Sequence, residues 1–138
     1  MYYSFLYPSL GGNMFNPIKV PADSKMLYNV VKLKPGVTMD DVELTVGQMC
    51  NVVKNTYPGF IAGQVLKFAG FISDEGSVNS VKKTDDHIAI ITYWESFEEH
   101  EESHSNELFK AHFEELVEMS DEAYEIGYEI IWQGEKEE

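Results

Sequence analysis

His100 and His104 stand four residues apart in the run Tyr93-Trp94-Glu95-Ser96-Phe97-Glu98-Glu99-His100-Glu101-Glu102-Ser103-His104. On a helix, residues i and i+4 share one face, with Cβ atoms about 5–6 Å apart. Two imidazoles so placed can reach a single metal ion through bonds of about 2.0–2.2 Å. Without a metal they can serve as a base and a hydrogen-bond donor, and on an acidic helix they can simply be solvated. A third ligand would have to come from elsewhere. Glu129 interrupts an otherwise aromatic and aliphatic stretch and, on a two-residue period, shares a face with Ala123, Glu125, Gly127 and Ile131. If that face meets the helices, a carboxylate on it is costly unless it is paired, bound to a cation, or close enough to the strand end to reach water. By this pattern Glu129 and Glu125 are both candidate third ligands.

Three further residues bear on this chemistry. Cys50, the single cysteine, is either an ordinary buried small residue or a nucleophile, and is carried as the candidate catalytic residue. His112 lies eight residues past His104, about 12 Å along a helix axis, too far for the same metal; a hydrogen-bonded, half-buried imidazole is expected. Trp94 and Phe97 read as core and pocket wall.

The elements that must position these groups follow from composition and pattern. A chain of 138 residues with 43% hydrophobic content fits one domain with a real core. Twenty-four acidic residues face ten basic ones, all lysine, for a net charge of −14. Such a surface repels phosphate backbones and anionic bilayers, and without arginine it offers no bidentate fork, so neither nucleic acid nor membrane is an expected partner. No apolar run approaches the ~20 residues of a membrane span. The absence of a signal-peptide pattern, together with a lone cysteine, points to a reducing cytoplasm.

Residues 1–25 form an aromatic arm broken by Pro8, Gly11-Gly12, Pro17 and Pro21, expected to pack on the body or on a neighbouring subunit. Residues 26–138 form the single domain. Met26–Lys34 reads as a strand ended by Pro35-Gly36, and Thr38 with Asp41 caps a helix whose buried face is Val42, Val46, Met49 and Val53. Phe60–Ile72 is a long strand, Ser73–Asp86 a polar connection, and His87–Trp94 a compact strand. Ser96 with Glu99 caps a second helix running to about Met119, with the stripe Leu108, Phe109, His112, Phe113, Leu116 and Met119. Ala123–Gln133 closes the chain as a strand whose Tyr124, Ile126, Tyr128, Ile130 and Trp132 share one face.

This βαββαβ order is the α+β ferredoxin-like arrangement, an antiparallel four-stranded sheet with both helices on one face. The other face stays apolar and needs a cover, most simply a second copy of the sheet. A homodimer is expected, with higher oligomers allowed through the arm.

Tyr57-Pro58-Gly59-Phe60 before a strand, then Tyr93-Trp94-Glu95-Ser96-Phe97-Glu98-Glu99-His100 opening the second helix, resembles the dimeric α+β barrel superfamily, which includes antibiotic-biosynthesis-type monooxygenases. Within it, Pro58-Gly59-Phe60, His100-Glu101-Glu102-Ser103-His104, Asp121 and Tyr128-Glu129 are similar to the N-terminal half of sulfur oxygenase reductases. That resemblance implies a mononuclear non-haem iron held by His100, His104 and Glu129, exchangeable on purification for another divalent metal. It also implies dioxygen chemistry on a small substrate such as an inorganic sulfur species. Cys50 stands one residue from the family's sulfur-carrying cysteine, and the second half of those enzymes has no counterpart here. The competing expectations are a cofactor-free monooxygenase acting on a quinol or polyketide in the helix–sheet cleft, and a non-enzymatic, small-molecule-binding or stress-related dimer.

Overall fold

The computed structural model describes residues 15–78 and 84–137. In chain order its elements are β1 (Lys25–Leu33), α1 (Met39–Thr56), β2 (Phe60–Lys67), β3 (His87–Trp94), α2 (Phe97–Ser103), α3 (Glu107–Glu118) and β4 (Ser120–Glu129). The strands form one antiparallel sheet in the order β2-β3-β1-β4, which is the ferredoxin-like topology. Most of the arm, residues 1–14, lies outside the described residues. The remainder of it is an irregular lead-in with one turn at residues 22–23, tied down where the Gln133 amide donates to Val20 O at 2.8 Å.

Register decides which side chains meet the helices. Lys25, Leu27, Asn29 and Val31 on β1 align with Trp94, Thr92, Ile90 and Ile88 on β3, and with Glu129, Gly127, Glu125 and Ala123 on β4. Side chains alternate along each strand, so these positions share the face that α1 covers. Val31, Leu33, Val42, Val46, Met49, Ile88, Ile90 and Leu116 form the larger core cluster there, and Leu27, Val53 and Trp94 a smaller one beside it. The opposite face carries Tyr28, Tyr124, Ile126 and Tyr128, the last three between 44 and 46% exposed, with Tyr28 meeting Tyr128 edge-on.

α1 starts where Thr38 and Asp41 predict it, the Thr38 N–H donating to Asp41 Oδ2 at 2.8 Å. The second helix is not continuous. α2 stops at Ser103, His104 and Ser105 make a turn, and Asn106 caps α3 by accepting from the Phe109 N–H at 2.9 Å. Short polar side chains drive the break: Ser103 Oγ donates to His100 O at 2.6 Å and Ser105 Oγ to Glu102 O at 2.7 Å, competing with the helical ladder. Beyond it, α3 packs through Phe109, Leu116 and Met119, whereas Leu108 and Phe113, expected in the buried stripe, are 56 and 41% exposed. β2 ends at Lys67 rather than Ile72, and β4 runs from Ser120 to Glu129 rather than from Ala123 to Gln133.

Candidate active site

Trp94 ends β3 wholly buried, its indole N–H donating to Thr92 Oγ1 at 3.0 Å. From there the chain turns through Ser96, which caps α2 by accepting from the Glu99 N–H at 3.2 Å. That cap aims the first turn of α2 across the end of the sheet and brings the His100 ring edge-on to Trp94, centroids 5.4 Å apart. His104 is the C-cap of α2, still αR at φ −70° and ψ −15°, so the i,i+4 relation survives the helix break. The two imidazole centroids lie 4.5 Å apart.

Both rings face a single carboxylate. His100 Nε2 lies 3.0 Å from Glu125 Oε2, and His104 Nε2 lies 3.4 Å from Glu125 Oε1. His100, His104 and Glu125 offer three ligand atoms within 4.8 Å of one another. The His100 side chain is 4% exposed and that of His104 40%, so the first is enclosed and the second open to the cleft. His104 also stacks flat on Phe109 at 5.5 Å, which in turn stacks on Phe113 at 6.2 Å.

The carboxylate expected here, Glu129, is elsewhere. It shares the helix-facing side of β4 as anticipated, but sits four residues beyond Glu125, about 13 Å along a strand. Its side chain is 72% exposed and lies 3.8 Å from Lys25 Nζ, so it is the strand-end carboxylate that reaches water. Period alone could not separate the two glutamates; the β1–β4 register, which places Glu125 beside α2, does.

Glu125 is held in its ionised form. Burial opposes its charge, but the hydrogen bond and charge of His100, a hydrogen bond from Asn29 and the charge of His104 together keep the carboxyl below its ordinary range. Asn29 gave no signal in the sequence beyond being one polar residue in an apolar strand. It stands directly across from Glu125, with its Nδ2 donating to Ile90 O at 3.1 Å.

Gly127 makes room for the site's wall. A Cβ there would stand 2.6 Å from Phe97 Cε1, so the missing side chain lets the Phe97 ring lie against β4. His100 Nδ1 is buried without a hydrogen bond, 3.3 Å from Glu101 Oε1. His112 was expected to be hydrogen-bonded, yet its buried Nδ1 has no hydrogen-bond partner, and the nearest carboxylate oxygen, on Glu115, is 3.6 Å away.

Cys50 is not part of this group. It packs against the larger core cluster, and burial pushes its thiol up to about 11. No helix among the described residues is long and apolar enough to cross a membrane.

No protein-family model and no curated protein matches the sequence. Solved structures do match. SnoaB, a cofactor-independent oxygenase from Streptomyces nogalater, is 13% identical, with a TM-score of 0.60 over 81% of this chain and 97% of that one. A candidate antibiotic-biosynthesis monooxygenase from Caulobacter crescentus is 12% identical, with a TM-score of 0.60 over 80% of this chain and 92% of its own. A dimeric ferredoxin-like protein of unknown function from Thermobifida fusca is 10% identical, with a TM-score of 0.60 over 83% and 98%. The chain therefore shares the ferredoxin-like α+β fold of these structures. At these identities the likeness extends to the fold alone, and the finer resemblance to sulfur oxygenase reductases gains no support from it.

Proposed function

We propose that this protein is a cofactor-independent oxygenase acting on an electron-rich aromatic such as a quinol or a phenolic polyketide, with His100, His104 and Glu125 as its reactive centre. The observation that carries the reading is the shared carboxylate, 3.0 Å from one Nε2 and 3.4 Å from the other, in a fold whose solved neighbours include a cofactor-independent oxygenase. An imidazole whose Nε2–H is held by a carboxylate keeps its lone pair on Nδ1 and is a stronger base for it. His104, the more open of the two, is the proposed general base. Glu125 orients it and stabilises the imidazolium that forms, and the enclosed His100 fixes Glu125.

With a hydroquinone, His104 takes a phenolic proton. The electron-rich ring reduces dioxygen and forms one carbon–oxygen bond, and the second oxygen leaves as water. Hydroquinone plus O2 gives hydroxyquinone plus H2O, so the substrate supplies all the electrons.

A second reading has its own observation. One nitrogen of each histidine and one Glu125 oxygen lie within 4.8 Å of one another, so small side-chain movements would bring all three to bonds of about 2.0–2.2 Å on one ion. Such a donor set suits ferrous iron, which would supply dioxygen activation, with an inorganic sulfur species as the substrate. In that reading Cys50 would carry the sulfur, a role its raised thiol opposes.

Self-association belongs to both readings. A second copy on the outer sheet face would cover Tyr124, Ile126 and Tyr128, and a solved neighbour of the same fold is dimeric.

The test is oxygen uptake by full-length protein offered a hydroquinone and polysulfide separately, with and without a chelator. Uptake with hydroquinone that survives the chelator supports the cofactor-free oxygenase. Uptake with polysulfide that the chelator abolishes replaces it with the iron reading. No uptake with either leaves a non-enzymatic binding dimer.

A further inference from the structure

One polar side chain lies in the middle of the apolar helix-facing side of β1: Asn29, between Leu27 and Val31 on the same face. Its backbone is already paired on both sides, with Ile90 on β3 and Glu125 on β4. The backbone ladder is thus complete without the side chain, and an aliphatic residue would suit the strand better.

What the amide does is set by its two N–H groups. Nδ2 donates to Ile90 O at 3.1 Å, which uses one N–H and leaves the other for a second acceptor. Directly across on β4 stands Glu125, whose ionised carboxylate can only accept. The two Glu125 oxygens are in turn divided between His100 and His104. A path thus runs from the β3 backbone through Asn29 and, across the β1–β4 pair, Glu125 to both imidazoles.

We infer that Asn29 is a positioning residue: anchored on Ile90 O, it holds the Glu125 carboxylate in the one orientation that presents an oxygen to each histidine. This role rests on the proposed reactive centre but not on its chemistry, because it acts on the resting protein with no substrate or metal bound. A carboxylate on a strand has free torsions at χ2 and χ3. Without a donor on its far side, Glu125 is free to rotate toward solvent at the open β4 edge, where Ala123 and Gly127 are exposed. His104, the more weakly held of the pair at 3.4 Å, would lose its orientation first.

The experiment is side-chain 1H–15N NMR of the histidine rings in metal-free, full-length protein, comparing wild type with Asn29→Leu, Asn29→Val and Glu125→Gln. Leucine is close to asparagine in size, and valine is the safer strand former, so a folded variant lacking the donor is secured even if one of them fails. Backbone amide spectra certify the fold. The expected result is that the His100 and His104 ring signals of the folded Asn29 variant move toward their Glu125→Gln positions by more than half of that variant's displacement. Ring signals that stay at their wild-type positions in a folded variant would overturn the inference. Oxygen uptake is recorded on the same wild-type sample. Displaced rings without any uptake would leave the positioning role standing and remove the oxygenase reading, whereas uptake with unmoved rings would do the reverse.

Discussion

Nε2 of His100 and Oε2 of Glu125 lie 3.0 Å apart, joining α2 to the middle of β4 across twenty-five residues of sequence. This contact, rather than the i,i+4 histidine pair by itself, defines the candidate site. It gives the two imidazoles one shared carboxylate, and the β1–β4 register fixes where along the sheet the three side chains meet.

The first consequence concerns which glutamate matters. If the purified protein is loaded with a divalent ion such as zinc or cobalt, Glu125→Gln and His104→Ala should each weaken binding by at least about tenfold. Glu129→Gln, which loses only a surface contact to Lys25, should bind as wild type does. Isothermal titration of the three variants checks this; a loss confined to Glu129→Gln would put the third ligand back at the strand end.

Gly127 is required by shape rather than by backbone conformation. In Gly127→Ala the new methyl would meet Phe97 Cε1 at 2.6 Å and Cζ at 3.0 Å, so the half-buried ring must shift to admit it. A destabilisation of about 1–3 kcal/mol is expected from such overpacking. Urea unfolding measures it, and unchanged stability would mean that Phe97 swings freely.

Cys50 should behave as a packed thiol. Its raised pKa, from an ordinary 9.0 to about 11, means that the folded state keeps the proton after the unfolded chain has released it. The associated stability is full below pH 9 and is lost as pH rises from 9 toward 11. Cys50→Ala should flatten that alkaline decline, and iodoacetamide labelling of the native protein should be slow at pH 8. Rapid labelling at pH 8 would show a reactive thiolate and revive the sulfur-carrier role.

The outer face of the sheet gives a fourth expectation. Ile126 lies on the edge strand β4, opposite Tyr28 and between Tyr124 and Tyr128. The wild type should be a dimer by light scattering at micromolar concentration and Ile126→Glu a folded monomer. A wild-type monomer would show that this face is not a self-association surface.

Much of this arrangement was legible in the sequence because the relevant signals are local. β3 begins and ends where its apolar run does, α1 and α2 start at their Thr and Ser caps, and the alternation along β4 put Glu125, Gly127 and Glu129 on the correct face. What was not legible depends on register or on competition between local preferences. Glu125 and Glu129 are indistinguishable by a period of two, and only pairing with β1 tells them apart. The break at Ser103–Asn106 comes from side chains that bond the backbone of their own turn, overriding an apolar stripe that read as one helix. Asn29 is invisible to pattern, because a single polar residue does not change the signature of a strand.

The reactive centre is tested most directly by oxygen uptake with a hydroquinone in the presence of chelator, comparing wild type, His104→Ala, Glu125→Gln and Glu129→Gln. Loss of a general base or of the group that orients it should lower the rate by about 10²–10⁴ in the His104 and Glu125 variants, with Glu129→Gln close to wild type. Equal rates in all four proteins, or no uptake by wild type, would contradict the assignment of His100, His104 and Glu125 as an oxygenase centre.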